Sequence, residues 1–245
     1  MYIIETYGFD GATNMAYDVA LGELADDVIL RFYTWKNPTL SLGKHQKTDD
    51  LDFEYITAKN FDIVRRPSGG RAILHWDEIT YSVIIPKNHE LFNTTVLELY
   101  NFLSELLVKG LRKVGYPVEM VEGKKKTASH VCFQTPSVYE ITLNGIKVVG
   151  SAQTRTQDYI LQHGSIVLTP HDEIKYCFKS TKSLDIPLIG LYDYKYVSFD
   201  DIVSGIKESF GDFFGQPKHF LNQDVLFEKI NDKMHTFKIV TNESV

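Results

Sequence analysis

The chain has 245 residues, 43% of them hydrophobic, so it can bury a substantial core at a length near the upper end for one α/β domain. Its 26 basic and 32 acidic residues give a net charge of -6, which disfavours broad attraction to nucleic acid or anionic membranes. Apolar runs are too short to span a membrane, and two cysteines cannot build a disulfide framework. We therefore predict one cytoplasmic, soluble domain over residues 1–245 that binds neither nucleic acid nor membrane and holds no metal.

The first half of the chain alternates between helical and strand patterns. Asn14 is predicted to cap a helix through MAYDVALGELA, where Met15 and Val19 belong to an apolar stripe. Five segments follow in order: a strand at VILRFYTW, a short helix around LDFEYITAKN, a strand at FDIVRR and, beyond a glycine turn, strands at RAILH and ITYSVIIP.

The second half opens with the clearest helix. In TTVLELYNFLSELLVKGLRKVG, apolar residues recur every three or four positions and the pattern closes at Gly115. Asn144-Gly145, between YEITL and IKVVG, is typical of a two-residue hairpin turn. A strand at YILQHGSIVL and helical patches in FDDIVSGIKESFGDFF and QDVLFEKINDKM follow. Hairpins mixed with helices predict an α+β fold, in which helices pack on a mostly antiparallel sheet.

The hairpin carries a lysine among branched apolar residues. A two-residue turn would pair Thr142 with Lys147 and Ile141 with Val148. Side-chain alternation would then place Lys147 and Val149 on one face, opposite the apolar one. An exposed lysine that discourages edge pairing is one interpretation, and a lysine that projects into a cleft is the other.

Small residues and a thiol flank this lysine. Gly150-Ser151-Ala152 would let a ligand approach the backbone, although such residues also mark tight bends. A lone cysteine such as Cys132 is usually a small buried hydrophobe. A nearby ammonium group would favour its thiolate form, which is the nucleophilic one.

A glycine turn with arginines around it is the second candidate site. Ser68-Gly69-Gly70 follows Arg66, and consecutive amides in such a turn can hold an anion or oxyanion, although a plain hairpin turn fits as well. His75, and His163 before Gly164, are candidate ligand contacts, but histidines held by backbone groups are commoner.

Five motifs together resemble a known family. NMAYDVAL, SLGKHQ, RRPSGGRAILH, GIKVVGSAQTR and LQHGSIVL occur in the order and approximate spacing of the lipoate-protein ligase and octanoyltransferase family, which is related in fold to biotin protein ligases. The resemblance covers roughly residues 13 to 170. Within it, RRPSGGRAILH and KVVGSAQTR most resemble the cysteine-dependent octanoyltransferases of the LipM kind. The transferase members also carry a cysteine in a CF-x-x-PS-x-YE pattern, which Cys132-Phe133, Pro136-Ser137 and Tyr139-Glu140 match.

The resemblance implies a biotin/lipoyl protein ligase-like catalytic domain and a covalent acyl transfer. Cys132 would take an octanoyl group from acyl carrier protein and pass it to the acceptor lysine of a lipoyl domain or of glycine cleavage H protein, without a cofactor. Lys147 would assist the thiol. The implied substrate-binding residues are Arg66, Ser68, Gly69, Gly70, His75, Gly150, Ser151, Ala152, His163 and Gly164.

Three other functions remain open from the sequence. An ATP-dependent lipoate-protein ligase is disfavoured because the family's ligases usually carry Asn-Asp and Gly-Asn where this chain has Pro136-Ser137 and Glu78-Ile79. They also commonly carry a separate C-terminal domain. An amidotransferase that takes octanoyl from glycine cleavage H protein would use nearly identical chemistry. A non-catalytic lipoyl-domain binder is disfavoured by the presence of both Cys132 and Lys147.

Overall fold

The computed structural model describes residues 1–122, 139–183, 187–220 and 223–239. The strands in these ranges are β1 (Tyr2–Phe9), β2 (Ile29–Trp35), β3 (Thr39–Leu42), β4 (Asp62–Arg65), β5 (Ile73–His75), β6 (Glu78–Pro86), β7 (Glu119–Glu122), β8 (Tyr139–Leu143), β9 (Ile146–Arg155) and β10 (Tyr159–Val167). The α-helices are α1 (Gly11–Leu24), α2 (Phe53–Ala58), α3 (Val96–Lys113), α4 (Leu191–Tyr194), α5 (Phe199–Phe214) and α6 (Gln223–Phe237). Short 3₁₀ helices cover Glu90–Asn93 and Asp172–Cys177.

The described strands form two sheets. The main sheet has the order β1-β2-β6-β10-β9-β8-β7, in which β1 and β2 are parallel and the other neighbours are antiparallel. A small sheet has the order β4-β3-β5, with β3 parallel to β4 and antiparallel to β5. The predicted α+β class and mostly antiparallel sheet are confirmed.

Helices cover both faces of the main sheet. On one face, which we call the core face, α3 and α5 pack against strand residues such as Phe32, Tyr81 and Val149. On the other face, α1 and α6 pack around Ile29, Ile84 and Leu161. This second face, called the site face below, also carries a band of buried polar side chains.

Local signals explain most of the helix boundaries. Thr95 caps α3 through a reciprocal capping box with Glu98, and Gly115, just beyond the helix, adopts φ +94°. The prediction that Asn14 caps the first helix is wrong, because Asp10 accepts the hydrogen bond from the Thr13 amide at 2.8 Å. The side chain of Asn14 instead donates to the Phe9 and Thr34 carbonyls, which ties α1 to β1 and β2.

Three strands have no counterpart among the predicted elements. β1 joins the main sheet beside β2, and β3 forms the centre of the small sheet. Their sequences give weak strand signals, because β1 contains polar residues and β3 has only four residues. β7 lies beside β8 at the sheet edge. Within the described part of the chain, no helix combines the length and apolar character needed to cross a membrane.

Candidate active site

The β8–β9 hairpin has the predicted turn but not the predicted register. Asn144 and Gly145 adopt φ values of 53° and 77°, as a tight two-residue turn requires. Thr142 pairs with Lys147 as predicted, whereas Ile141 pairs with Val149 and not with Val148. One extra residue in β9 therefore forms a β-bulge next to the lysine.

The bulge decides which way the lysine faces. Val148 and Val149 both join the core packed against α3 and α5, so the predicted grouping of Lys147 with Val149 is wrong. Lys147 is 8% exposed, and its Nζ lies 3.1 Å from Glu140 Oε1. It lines a narrow cavity together with Glu78, so it lies on the site face.

Cross-strand pairing arranges the site face in three rows. Ala152, His163 and Ser82 form the first row, and Gly150, Ser165 and Thr80 form the second. Val167 and Glu78 form the third, beside Lys147. Successive rows are about 7 Å apart, since they are separated by two residues along each strand. Apart from His163, the side chains of the first two rows are small, and the third row lines the same cavity as Lys147.

A serine, a histidine and an aspartate form a buried chain at the first row. The His163 ring lies with Nε2 at 2.6 Å from Ser68 Oγ and Nδ1 at 3.1 Å from Asp18 Oδ2. Ser68 and Asp18 are 0% exposed and His163 is 4% exposed. Burial lowers the pKa of His163 despite the opposing effect of Asp18, so the ring is neutral at neutral pH.

Arg31 holds Asp18 ionised. Burial opposes ionisation of this carboxyl, but the Arg31 guanidinium 2.7 Å away and the His163 contact outweigh it and keep the pKa of Asp18 below its usual value. All five N–H donors of Arg31 are engaged, with Thr6, Asn14 and Asp18 as acceptors. The guanidinium also lies between the rings of Tyr17 and Tyr33, which fixes its position.

A second histidine–carboxylate pair lies at the third row. His75 Nδ1 is 2.7 Å from Glu78 Oε1, and Thr80 and Ser165 also donate to this carboxylate. The His75 ring stacks on Trp35 with ring centroids 4.1 Å apart. His75 and Glu78 line an open cleft of about 570 Å³ beside Trp35 and Trp76.

The glycine turn lies against the site face. Ser68 reaches His163, while Arg66 donates to the carbonyls of Ser41, Gly69 and Arg71 and so fixes the shape of the turn. Gly70 adopts φ +90°. A Cβ at Gly43 would lie 2.0 Å from the Gly70 carbonyl oxygen, so only glycine fits where the two loops meet.

Among the described residues, the structure brings most of the predicted site residues together, with two exceptions. Ser151 Oγ bonds the Tyr81 hydroxyl at 2.7 Å, and Gly164 pairs with Ser151, which places both on the core face and away from Lys147. The predicted nucleophile Cys132 lies outside the described residues.

Sequence reasoning missed Asp18, Arg31 and the role of Glu78 as a partner of His75. Asp18 lies inside the NMAYDVAL motif, which was a usable signal. Arg31 lies within an otherwise apolar strand, where a buried arginine requires a partner. Glu78 stood out in the sequence only as a departure from the ligase pattern.

The cavity beside Lys147 is largely apolar. Besides Lys147 and Glu78, side chains from β5, β10 and the segments after β10 line it: Leu74, Trp76, Val167, Ile174, Leu188 and Ile189 are among them. Tyr81 and Val149 do not line this cavity, because they belong to the core on the opposite face of the sheet.

The second cysteine has no catalytic surroundings. Cys177 is 0% exposed, and its Sγ lies 3.6 Å from the Glu173 carbonyl oxygen. Burial, with smaller effects from Asp52 and Glu173, raises the pKa of its thiol to about 12. Cys177 is therefore a protonated, buried side chain at neutral pH.

One protein-family model matches the part of the chain that contains these site residues. The profile described as "Lipoyl protein ligase A/B catalytic domain" matches residues 10–207, which include Asp18, the glycine turn, Lys147 and His163. The chain belongs to this family. The family that the sequence motifs predicted is thereby confirmed.

Relatives of the lipoyl protein ligase A/B family with curated names refine the comparison. The protein named "Octanoyltransferase LipM" from Carboxydothermus hydrogenoformans is 47% identical over 67% of this chain and 64% of its own length. The protein of the same name from an Exiguobacterium species is 37% identical over 87% of this chain and 86% of its own length. The matched region thus spans just under two thirds of the first relative.

Solved structures of the family share the fold. A bipartite lipoate protein ligase from Thermoplasma acidophilum superposes with a TM-score of 0.74 and covers 100% of this chain and 98% of its own. Its sequence identity is 17%, so the likeness concerns the fold. It agrees with the predicted ligase-like catalytic domain.

Proposed function

We propose that the protein is an octanoyltransferase of protein lipoylation. It takes an octanoyl group from the thioester of acyl carrier protein and transfers it to the acceptor lysine of a lipoyl domain. Cys132 is the nucleophile that carries the acyl group between the two steps. The observation that carries the proposal is the placement of Lys147, which is buried on the site face and lines a largely apolar cavity.

The first step follows from the chemistry of a thiolate beside an ammonium group. Attack of the Cys132 thiolate on the donor thioester forms a new thioester and releases the carrier thiolate. The Lys147 ammonium favours the thiolate and donates to the acyl carbonyl oxygen. Amides of the turn at Gly69 and Gly70 stabilise the tetrahedral oxyanion, where one donor typically contributes about 3 kcal/mol.

The lining of the cavity beside Lys147 is suited to the acyl chain. Leu74, Ile174 and Leu188 provide an apolar wall near the lysine, and Gly150 and Ala152 carry no bulky side chain on the same face of the sheet. The proposed substrate-contacting set in the described residues is Arg66, Ser68, Gly69, Gly70, His75, Gly150, Ala152 and His163. Ser151 and Gly164 are left out because they face the core.

Intact-mass spectrometry with ATP omitted tests the proposal. After incubation with octanoyl-acyl carrier protein, we expect one octanoyl group on the wild-type protein and on Cys177→Ala, and none on Cys132→Ala. Transfer to a lipoyl domain should then remove it. Octanoylation that requires ATP and releases pyrophosphate would instead identify a ligase, and full transfer by Cys132→Ala would contradict the thiol mechanism.

The choice of donor is tested in the same assay. Octanoyl-acyl carrier protein and octanoylated glycine cleavage H protein are offered in competition, and the rate of acyl-enzyme formation from each is measured. We expect the carrier protein to be the preferred donor. Faster acylation from H protein would identify the protein as an amidotransferase.

A further inference from the structure

Three charged side chains lie side by side across one end of the main sheet. Glu78 is on β6, Lys147 on β9 and Glu140 on β8, and β10 lies between β6 and β9. Lys147 Nζ is 3.1 Å from Glu140 Oε1, and Lys147 lines the same narrow cavity as Glu78. Since neighbouring strands are about 4.8 Å apart, the backbones of Glu78 and Lys147 are separated by about 10 Å. The ammonium group thus lies between two carboxylates.

The Glu78 carboxylate is fixed by three hydrogen-bond donors. His75 Nδ1 lies 2.7 Å from Glu78 Oε1, the Thr80 hydroxyl donates to the same oxygen, and the Ser165 hydroxyl donates to Oε2. The Glu78 side chain is 3% exposed, so it meets little solvent. Hydrogen bonds of this kind are what a buried negative charge requires. The carboxylate is therefore held beside the cavity.

The ionisable groups around the cavity do not favour a further negative charge. Among the described residues that line it, Glu78, Lys147 and His171 are ionisable. The His171 ring faces a carboxylate of its own, because its Nε2 lies 2.8 Å from Asp77 Oδ2. Glu140 adds another carboxylate on the far side of the lysine. A head group bound at Lys147 therefore meets one ammonium with carboxylates around it.

The charge of the head group then decides which acyl compound the cavity accepts. The linkage of a thioester is neutral, so it can accept a hydrogen bond from the lysine without adding a negative charge. A fatty acid carboxylate or an acyl phosphate brings such a charge close to Glu78. Like charges repel more strongly between apolar walls than in water, because the effective dielectric constant is lower there.

We propose that Glu78 is a specificity-determining residue that excludes anionic acyl compounds from Lys147. The cavity accepts the neutral head group of a thioester and rejects a fatty acid carboxylate or an acyl phosphate. Glu140 strengthens the rejection, because it already pairs with the lysine. This inference rests on the proposed octanoyl transfer, in which Lys147 donates to the acyl carbonyl oxygen.

Octanoate and octanamide test the proposal on the wild-type protein. The two compounds share the chain and nearly the shape of the head group, but only octanoate is charged. Isothermal titration calorimetry at neutral pH measures the affinity of each. We expect octanamide to bind about 10-fold more tightly than octanoate, because a like charge lies in the same cavity. Equal affinities, or tighter binding of octanoate, would overturn the proposal.

The variant Glu78→Gln removes the charge and keeps the volume of the side chain. In this variant octanoate should bind about 10-fold more tightly than in the wild type, while the affinity for octanamide changes by less than about threefold. The ratio of the two affinities is the readout, because damage to the fold would weaken the binding of both compounds together. A ratio equal to that of the wild-type protein would overturn the role of Glu78.

Glu208→Gln is the matched control. Glu208 has the same charge but lies on α5, which packs on the core face, and its Oε2 is 3.5 Å from Lys113 Nζ. Both affinities should therefore equal those of the wild-type protein. An equal gain of octanoate binding in this control would reveal an effect of net charge alone and would overturn the assignment to Glu78.

Acyl-enzyme formation, followed in parallel, separates failure of this inference from failure of the proposed function. If the wild-type protein acquires an octanoyl group from octanoyl-acyl carrier protein but does not distinguish octanoate from octanamide, the inference fails and the proposed function stands. If it acquires none, the proposed function fails and the inference with it. Absence of octanamide binding would likewise overturn the inference, because the cavity would then not hold an acyl head group.

Discussion

Lys147 is a buried cation whose position depends on one extra residue in its strand. The bulge at Val148 turns the lysine away from α3 and α5 and toward Glu140 and the largely apolar cavity. A charged side chain on the core face would have no water and no carboxylate partner of this kind, which would cost several kcal/mol. The hairpin thus explains why an ammonium group is tolerated among apolar neighbours.

The variant Lys147→Met tests this residue. Methionine keeps the approximate volume and removes the charge, so the fold should persist while formation of the octanoyl-enzyme slows by about 100-fold, the effect of losing one oxyanion donor. The burst of acyl-enzyme measured by quenched mass spectrometry reports the rate. Lys109→Met, at an exposed lysine of α3 that pairs with Asp212, is the control. Acylation within threefold of wild type would contradict the assigned role.

At the scale of elements, local chemistry determines where helices and turns begin and end, but it determines strand pairing less closely. The Thr95 capping box and the Asn144-Gly145 turn are both specified by neighbouring residues, and the turn was predicted correctly from its sequence. The bulge in β9 depends on which side chains meet α3 and α5 and which face the cavity beside Lys147. The hairpin sequence by itself therefore predicted the wrong pairing for Ile141.

The turn makes an element-scale prediction. Gly145 has φ +77°, and no atom lies within 4 Å of the position that an added methyl group would take, so Gly145→Ala should destabilise the protein by about 1 kcal/mol through backbone strain alone. Gly211→Ala is the matched control, because this helical glycine also has open space but ordinary φ, and alanine should stabilise α5 by about 0.5 kcal/mol. Urea unfolding midpoints measure both, and equal shifts would contradict the strain argument.

At the scale of the whole molecule, a polar layer is buried between the two sheets and α1. Asp18 comes from α1, Ser68 from the loop after β4, and His163 from β10, so the chain of hydrogen bonds exists only when three remote segments pack together. Sequence motifs named the segments that contain these residues. They did not reveal that the residues touch, because the spacing of 145 positions between Asp18 and His163 has no local signature.

This buried layer predicts a pH dependence of stability. The pKa of His163 is lowered in the folded state, so the unfolded chain binds its proton more readily. The stabilisation is complete above about pH 6.5, the ordinary histidine value, and is lost as pH falls through the folded pKa below it. Asp18, whose pKa is also lowered, adds a further loss below about pH 3.9.

Urea unfolding at pH 7.5 and pH 5.5 checks the prediction. The wild-type free energy of unfolding should fall between these values, and the fall should be smaller in His163→Gln, which has no proton to bind at this position. The other histidines contribute equally to both proteins. The difference between the two falls in unfolding free energy therefore reports the contribution of His163. An equal fall in both proteins would show that burial of His163 does not affect the stability of the fold between pH 5.5 and pH 7.5.

The sequence by itself determined the α+β class, the main helices, the hairpin turn and the family, because these depend on local periodicity, capping residues and short motifs. Only the tertiary structure decided that Lys147 lies on the site face, that Ser151 faces the core, and that Asp18 meets Ser68 through His163. The physical reason is that strand register and long-range hydrogen bonds are set by packing between layers, where each buried polar group must find a partner from a distant part of the chain.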